Sequence, residues 1–106
     1  MAQPWKSKYK AQPVVIDGLR FASKKEGARY LELKLLEKAG HIQNLELQPR
    51  YDLIINGKNC GFYKADFRFF EGGKRKIVDV KGVRTPVYIL KKKIVEALYN
   101  VEIIEE

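Results

Sequence analysis

Asp66, Asp79 and Lys81 are the residues of this 106-residue chain whose types and spacing best suit hydrolytic chemistry. They lie in Tyr63-Lys64-Ala65-Asp66-Phe67 and Ile77-Val78-Asp79-Val80-Lys81-Gly82, two strand-like stretches on either side of Gly72-Gly73. With Gly72-Gly73 as a two-residue hairpin turn, Glu71 pairs with Lys74 and the register of the whole ribbon follows. Asp66 then falls opposite Asp79, and Lys64 opposite Lys81. Directly opposed residues share a face, as do Asp79 and Lys81, two apart on one strand. The same register sets Phe67 against Val78 and Ala65 against Val80 on the other face. Those apolar pairs support the pairing independently of any chemistry.

Two carboxylates opposed across a hairpin repel by roughly 3 kcal/mol at about 5 Å and an effective dielectric near 20. A sheet has no reason of stability to keep them. Either one aspartate carries a proton, or positive charge stands between the two. Lys81 supplies one such charge. A divalent cation supplies two, and carboxylate oxygens suit Mg²⁺ or Mn²⁺. Phosphodiester hydrolysis needs that combination: carboxylates that hold the cation, and an ammonium beside them to orient water or offset developing charge. The bland alternative is a polar strand pair with scattered surface charges. Asp-x-Lys alone is a weak signal; its opposition to a second aspartate, within apolar strands, is more specific.

The elements that must position these groups are legible from punctuation. Val14-Val15-Ile16, Asp17-Gly18 and Leu19-Arg20-Phe21 read as a short hairpin. Ser23 to Glu26 is a capping-box signature opening a helix, which Gly40 ends. Its apolar stripe is expected from Ala28, Leu31, Leu35, Leu36 and Ala39. Glu26 then lies near Tyr30 and Leu33, away from that stripe. Strands are expected over 42–48, 51–55, 62–70 and 75–80, with turns at Asn56-Gly57 and Gly72-Gly73. Thr85-Pro86 starts a second helix, with Val87, Leu90, Ile94, Ala97 and Leu98 as its buried stripe. A last short strand covers 101–104. The fold class is therefore α/β, a single mixed sheet against two helices. Residues 14–106 form one domain, and residues 1–13, with Lys6, Lys8 and Lys10, read as a flexible basic arm.

Composition narrows the function classes. Lys and Arg number 21 against 13 Asp and Glu, a formal net charge of +8. That surplus attracts polyanions, and nucleic acid is the first partner it suggests. No apolar run approaches the roughly 20 residues that cross a bilayer, and no signal-peptide stretch is visible, so a membrane is not expected. Cys60 stands alone, which leaves no disulfide or cysteine metal site and points to a reducing cytoplasm.

Asp66, then Asp79-Val80-Lys81, with Glu26 on the preceding helix, resembles the PD-(D/E)xK nuclease superfamily. The wider string looks like its short phage and prophage branch: Phe21-x-Ser23-x-x-Glu26, Gln48-Pro49, Tyr63-x-Ala65-Asp66-Phe67, Asp79-Val80-Lys81-Gly82, Thr85, and Lys91 with Lys93. The resemblance covers about residues 14–104. Ala65 departs from it, standing where the nominal proline precedes Asp66. What the resemblance implies is an αβββαβ core preceded by the hairpin, and Mg²⁺-dependent DNA cleavage in which Mn²⁺ can substitute. Asp66 and Asp79 would be metal ligands, Lys81 the base-side catalytic residue, and Glu26 a further ligand in place of a mere cap.

Other residues are ranked around that centre. Gln48 and Tyr63 are candidates for contact with water or substrate, against ordinary roles as a strand-end glutamine and a half-buried tyrosine. Thr85, at a helix N-terminus, could receive a phosphate, and Arg84, Lys91, Lys93, Lys74 and Arg75 could extend a phosphate-contacting surface. Lys92 can pair with Glu96, which marks it as a surface lysine. The expected activity is an endonuclease, structure-selective for branched junctions, and the paired cuts of a junction imply a homodimer. The rivals are a nicking or restriction-type enzyme, a non-catalytic nucleic-acid-binding protein, and a small interaction protein whose charge serves solubility. An RNA substrate is not favoured, since no RNA-binding aromatic motif is visible.

Overall fold

The computed structural model of the chain describes residues 12–80 and 83–106. The basic arm therefore falls outside the described residues except for Gln12 and Pro13, and so does Lys81. The chain runs β1 (Val14–Ile16), β2 (Leu19–Phe21), α1 (Lys24–Lys38), β3 (Gln43–Leu47), β4 (Arg50–Ile55) and β5 (Lys58–Lys64). It continues through β6 (Phe67–Glu71), β7 (Lys74–Asp79), α2 (Pro86–Tyr99) and β8 (Ile103–Glu105). The α/β architecture is as expected. Among the described residues no helix is long and apolar enough to cross a membrane.

Local chemistry fixes the punctuation. The Ser23 side chain accepts from the Glu26 amide at 3.2 Å, and that of Thr85 accepts from the Tyr88 amide at 3.1 Å, so both helices open on the expected caps. Gly72 and Gly73 both take positive φ, the geometry of a tight hairpin turn. The β6–β7 register then runs Glu71 with Lys74 through Phe67 with Val78, as the sequence requires.

The single sheet expected from the sequence is instead three hydrogen-bonded units. A four-stranded mixed sheet in the order β3-β6-β7-β8 holds the centre, and β1-β2 and β4-β5 are separate ribbons. The expected strand over 62–70 is broken at Ala65-Asp66 into β5 and β6. Across from the break, Gln48 takes a left-handed φ of 50° and Pro49 follows it. Backbone bonds carry the pairing through the bend: the Gln48 amide donates to Asp66 O at 2.9 Å, and the Ala65 amide to Pro49 O at 3.1 Å. The stretch from β3 to β6 is thus one long hairpin folded at its middle.

The central sheet is buried on both sides. Phe21, Tyr30, Leu33, Ile42, Phe67, Phe69, Val78 and Val80 form the core on the α1 side. Tyr51, Leu53, Tyr63, Ala65, Ile77, Tyr88, Val95 and Ile103 form the one on the α2 side. Consecutive residues Ile77, Val78, Asp79 and Val80 are all buried, as a central strand covered on two faces requires.

Both helix stripes differ from expectation. In α1 the buried residues are Gly27, Tyr30 and Leu33, whereas Leu31 and Leu35 are exposed. In α2, Tyr88 and Val95 are buried and Val87, Leu90 and Leu98 are exposed. The helices are apolar on more than one side, and the docked face is the one whose tyrosines find polar partners. Tyr30 donates to Asp17 at 2.9 Å and Tyr88 to Glu105 at 2.7 Å.

Gly27 lets the first hairpin lie against α1. A Cβ there would meet Val14 Cγ2 at 2.7 Å and Ile16 Cδ1 at 2.9 Å. Gly27→Ala is expected to lower stability by about 1–2 kcal/mol, the overpacking outweighing a helix-propensity gain of about 1 kcal/mol. A shift of the urea midpoint checks it.

Candidate functional site

Asp66 sits at the fold of the long hairpin and Asp79 at the end of β7, one position beyond the Phe67–Val78 pair. Asp79 is 1 % exposed, the one buried charged residue among those described. A carboxylate so deep needs partners. The buried Tyr63 hydroxyl donates to Asp79 Oδ2. Asp66 hydrogen-bonds the same carboxylate, and its own Oδ2 accepts from the Val80 amide at 2.6 Å.

That geometry sets the protonation. Burial first, then the hydrogen bond and the charge of Asp79, push Asp66 up to about 8. The Val80 amide opposes the shift and the Glu26 charge adds to it. Asp66 therefore resists ionisation, as burial beside a second carboxylate requires. Burial and the Asp79 carboxylate likewise hold the Tyr63 phenol well above its ordinary range, so it stays a donor. Tyr63 is better placed to orient Asp79 than to touch a substrate.

Asp66 opens into a cavity of about 150 Å³ that Arg20, Glu26, Gln48, Leu47 and Phe67 also line. Glu26 faces this space because α1 buries Tyr30 and Leu33, so the face on which the sequence wheel placed it is the inner one. It also serves the cap: Ser23 Oγ donates to Glu26 Oε2 at 3.2 Å. Both readings of Glu26 thus coexist in one conformation. Among the described residues no three His, Cys, Asp or Glu side chains form a ready metal-holding group, and Glu26 meets Asp66 only as a lining residue of the same cavity. Arg20 was not among the sequence candidates. It belongs to β2, outside the strands that carry the aspartates, and no spacing rule connects it to them.

The donor set fits a divalent cation. It consists of carboxylate oxygens, it cannot be fully ionised without added positive charge, and it adjoins a cavity with room for a small ion and a few waters.

Residues 6–104 match the family described as protein of unknown function (DUF1064), nearly the full length of the chain. The chain belongs to this family. No curated protein matches it.

In this DUF1064 chain the basic candidates divide by position. Lys74 and Arg75 open β7, at the far end of that strand from Asp79. They are not beside the aspartates. The Arg75 guanidinium lies 5.2 Å from the Phe70 ring centre. Arg84 Nε is 3.1 Å from Glu105 Oε2, an ion pair that ties the approach to α2 onto β8. Thr85 caps α2 through its hydroxyl. Lys93 is exposed, while Lys92 makes the expected contact with Glu96 at 3.9 Å. Lys91 reaches the Phe62 ring, with Nζ 5.6 Å from its centre.

Proposed function

We propose that this protein is a Mg²⁺-dependent DNA endonuclease, as the resemblance to the PD-(D/E)xK superfamily implies. The observation that carries the reading is the Asp66–Asp79 pair, two carboxyl groups in hydrogen-bond contact, Asp79 buried and Asp66 half-buried at the wall of a cavity. Opposed carboxyl groups cost a fold stability, and a carboxyl raised by burial and a neighbouring aspartate beside a cavity is a mark of catalytic centres.

Asp66 and Asp79 would hold the cation, with Glu26 across the cavity supporting it through water. A bound Mg²⁺ polarises the scissile phosphate and acidifies a nearby water. Tyr63 and the Val80 amide keep the two carboxylates in place, each engaging an oxygen that would otherwise be free to rotate away. Gln48, left-handed at the bend, holds the Asp66 carbonyl through its amide and lines the cavity where water would stand. Arg20 on the opposite wall is suited to a phosphate oxygen. Lys81, two positions after Asp79 in the sequence, is the proposed base-side cation. The strongly basic chain favours a polyanionic substrate. The proposed substrate is a branched junction, selected by the shape of the DNA. The protein would act in the cytoplasm, as a homodimer matched to two symmetric cuts.

Cleavage of a labelled four-way junction tests this, with linear duplex and single strand alongside, in Mg²⁺, Mn²⁺ or EDTA. Metal-dependent paired cuts on the junction alone are expected. Equal cutting of linear duplex would point to a general nuclease, and tight binding without cutting in any metal would remove the catalytic reading.

Tyr63→Phe is expected to lower stability by about 1–3 kcal/mol, since a buried carboxylate oxygen loses its donor. Its effect on Mn²⁺ affinity should be a weakening of about 10- to 100-fold, the usual cost of losing a residue that orients a ligand. Urea denaturation and Mn²⁺ titration measure the two.

A further inference from the structure

Beyond the aspartates, the long hairpin carries a second group of side chains with no evident structural purpose. In the β4–β5 ribbon, Arg50 is opposed to Lys64 and Asp52 to Phe62. Residues two apart on a strand share a face, so these four side chains form one outer face. Tyr51, Leu53 and Tyr63 point the other way, into the core against α2. Phe62 is 40 % exposed in spite of its size. Three cations gather at its ring: Arg50 at 4.0 Å, Lys91 at 5.6 Å and Lys64 at 5.9 Å from the centre.

A surface phenylalanine needs at most one long side chain to cover it, and a ribbon chosen for solubility would not place an aromatic there. Arg50 has a local partner, its Nε 3.0 Å from Asp52 Oδ1. No ion pair is recorded for Lys64 or Lys91 among the described residues. The face also adjoins the site along the hairpin. The pairing that opposes Arg50 to Lys64 extends through the bend, where the Gln48 amide bonds Asp66 O at 2.9 Å. One residue on each strand, Pro49 and Ala65, separates Arg50 and Lys64 from Gln48 and Asp66. From Asp66 to Phe62 is four residues, at most about 13 Å of strand, a few nucleotides of chain.

We infer that this outer face is a track for an unpaired stretch of DNA, with a base stacked on Phe62 and its phosphates on Arg50, Lys64 and Lys91. The aromatic decides for an unpaired strand over a duplex. Within a duplex the faces of the bases are already stacked on one another, while an unpaired base offers its face freely. The inference deepens the nuclease reading: it makes the preferred substrate one with unpaired nucleotides beside the cut, as at a flap, fork or opened junction.

The test is binding in EDTA, which separates the track from cleavage. Fluorescence anisotropy would compare a labelled single-stranded oligonucleotide with the blunt duplex of the same sequence. Phe62→Ala should weaken single-strand binding by roughly 5- to 100-fold, the usual range for one stacked base, and Phe62→Trp should retain it. Blunt-duplex affinity should change less than about twofold with Phe62→Ala. Lys64→Gln should lower the salt dependence of single-strand binding by about 0.7, one phosphate contact. If Phe62→Ala binds single strands like the wild type, or loses both substrates equally, the track is overturned while any metal-dependent cleavage still stands. Phe62-dependent binding with no cleavage in any metal keeps the track and sinks the nuclease. Absence of all binding at low salt overturns both.

Discussion

Asp79→Asn is expected to reduce metal-dependent DNA cleavage by about 10³-fold while leaving the protein at least as stable at pH 8. The two halves have one cause. Asparagine has the shape of aspartate, and its carbonyl can still accept from the Tyr63 hydroxyl, so the buried position keeps its donor. Its amide can donate to Asp66, so the contact between the two side chains keeps a permanent donor. The repulsion between opposed carboxylates then disappears, leaving burial as the main reason for Asp66 to resist ionisation. A buried carboxylate kept for stability would behave oppositely, since removing its charge would orphan its partners. The cleavage loss follows because the cation would lose a charged ligand; removal of one preorganised charge-stabilising group elsewhere costs about 10²–10³ in rate, and here the group also holds the metal. Single-turnover cleavage and thermal unfolding of the same preparation read both. A variant that cuts within tenfold of the wild type would refute the site, and one that cuts poorly because it unfolds would leave Asp79 a structural residue.

The second large effect is on pH. Asp66 is held up to about 8, chiefly by burial and by Asp79. Its folded pKa is thus raised above the ordinary value of 3.8. Between those limits the unfolded chain has released this proton and the folded chain has kept it. Stability in chelator should therefore be greatest on the acid side and fall as pH rises towards 8, by as much as about 1.4 kcal/mol per unit from this group. Above the folded pKa the contribution is lost and the curve levels. Glu46, Glu71 and Glu105 are held below their ordinary value by Arg68, Lys76 and Tyr88 respectively. Their effect has the opposite sign and is confined to the acid end, so the decline from pH 5 to 8 is the contribution of Asp66. Mg²⁺ or Mn²⁺ should reverse the decline, raising the melting temperature at pH 8 and doing little at pH 5, where the proton competes for the same oxygens. Asp66→Asn should flatten the pH profile and abolish the cation's effect. Equal stabilisation by Mg²⁺ at both pH values, or its survival in Asp66→Asn, would mean the cation binds elsewhere.

The lengths and caps of the elements were readable because they depend on neighbours in sequence. Ser23, Gly40, Thr85 and Pro86 act within one helical turn. Gly72-Gly73 fixes a register that puts Asp66 opposite Asp79 without reference to the rest of the chain. Tyr63 was less legible. Its spacing says only that it faces away from Phe62 and Lys64; its bond to Asp79 comes from the bend at Ala65-Asp66, which turns β5 over the end of β7. The buried face of α1, on which Glu26 lies, was illegible for a different reason. Tyr30, Leu31, Leu33 and Leu35 offer α1 more than one apolar face, and periodicity cannot choose among them.

The sequence by itself determined the class of fold, the hairpin register, the opposition of two aspartates and the basic character of the chain. All follow from local turn chemistry, period-two alternation and charge count, which act over a few residues or over the composition as a whole. Only the tertiary structure decided which helix faces are buried, that the sheet divides into a mixed core and two ribbons, and that Arg20, Glu26 and Gln48 share a cavity with Asp66. It also gathered Arg50, Lys64 and Lys91 around Phe62. Those outcomes join residues far apart in sequence, and they are fixed by the shapes of the surfaces that meet when α1 and α2 close on opposite sides of one sheet.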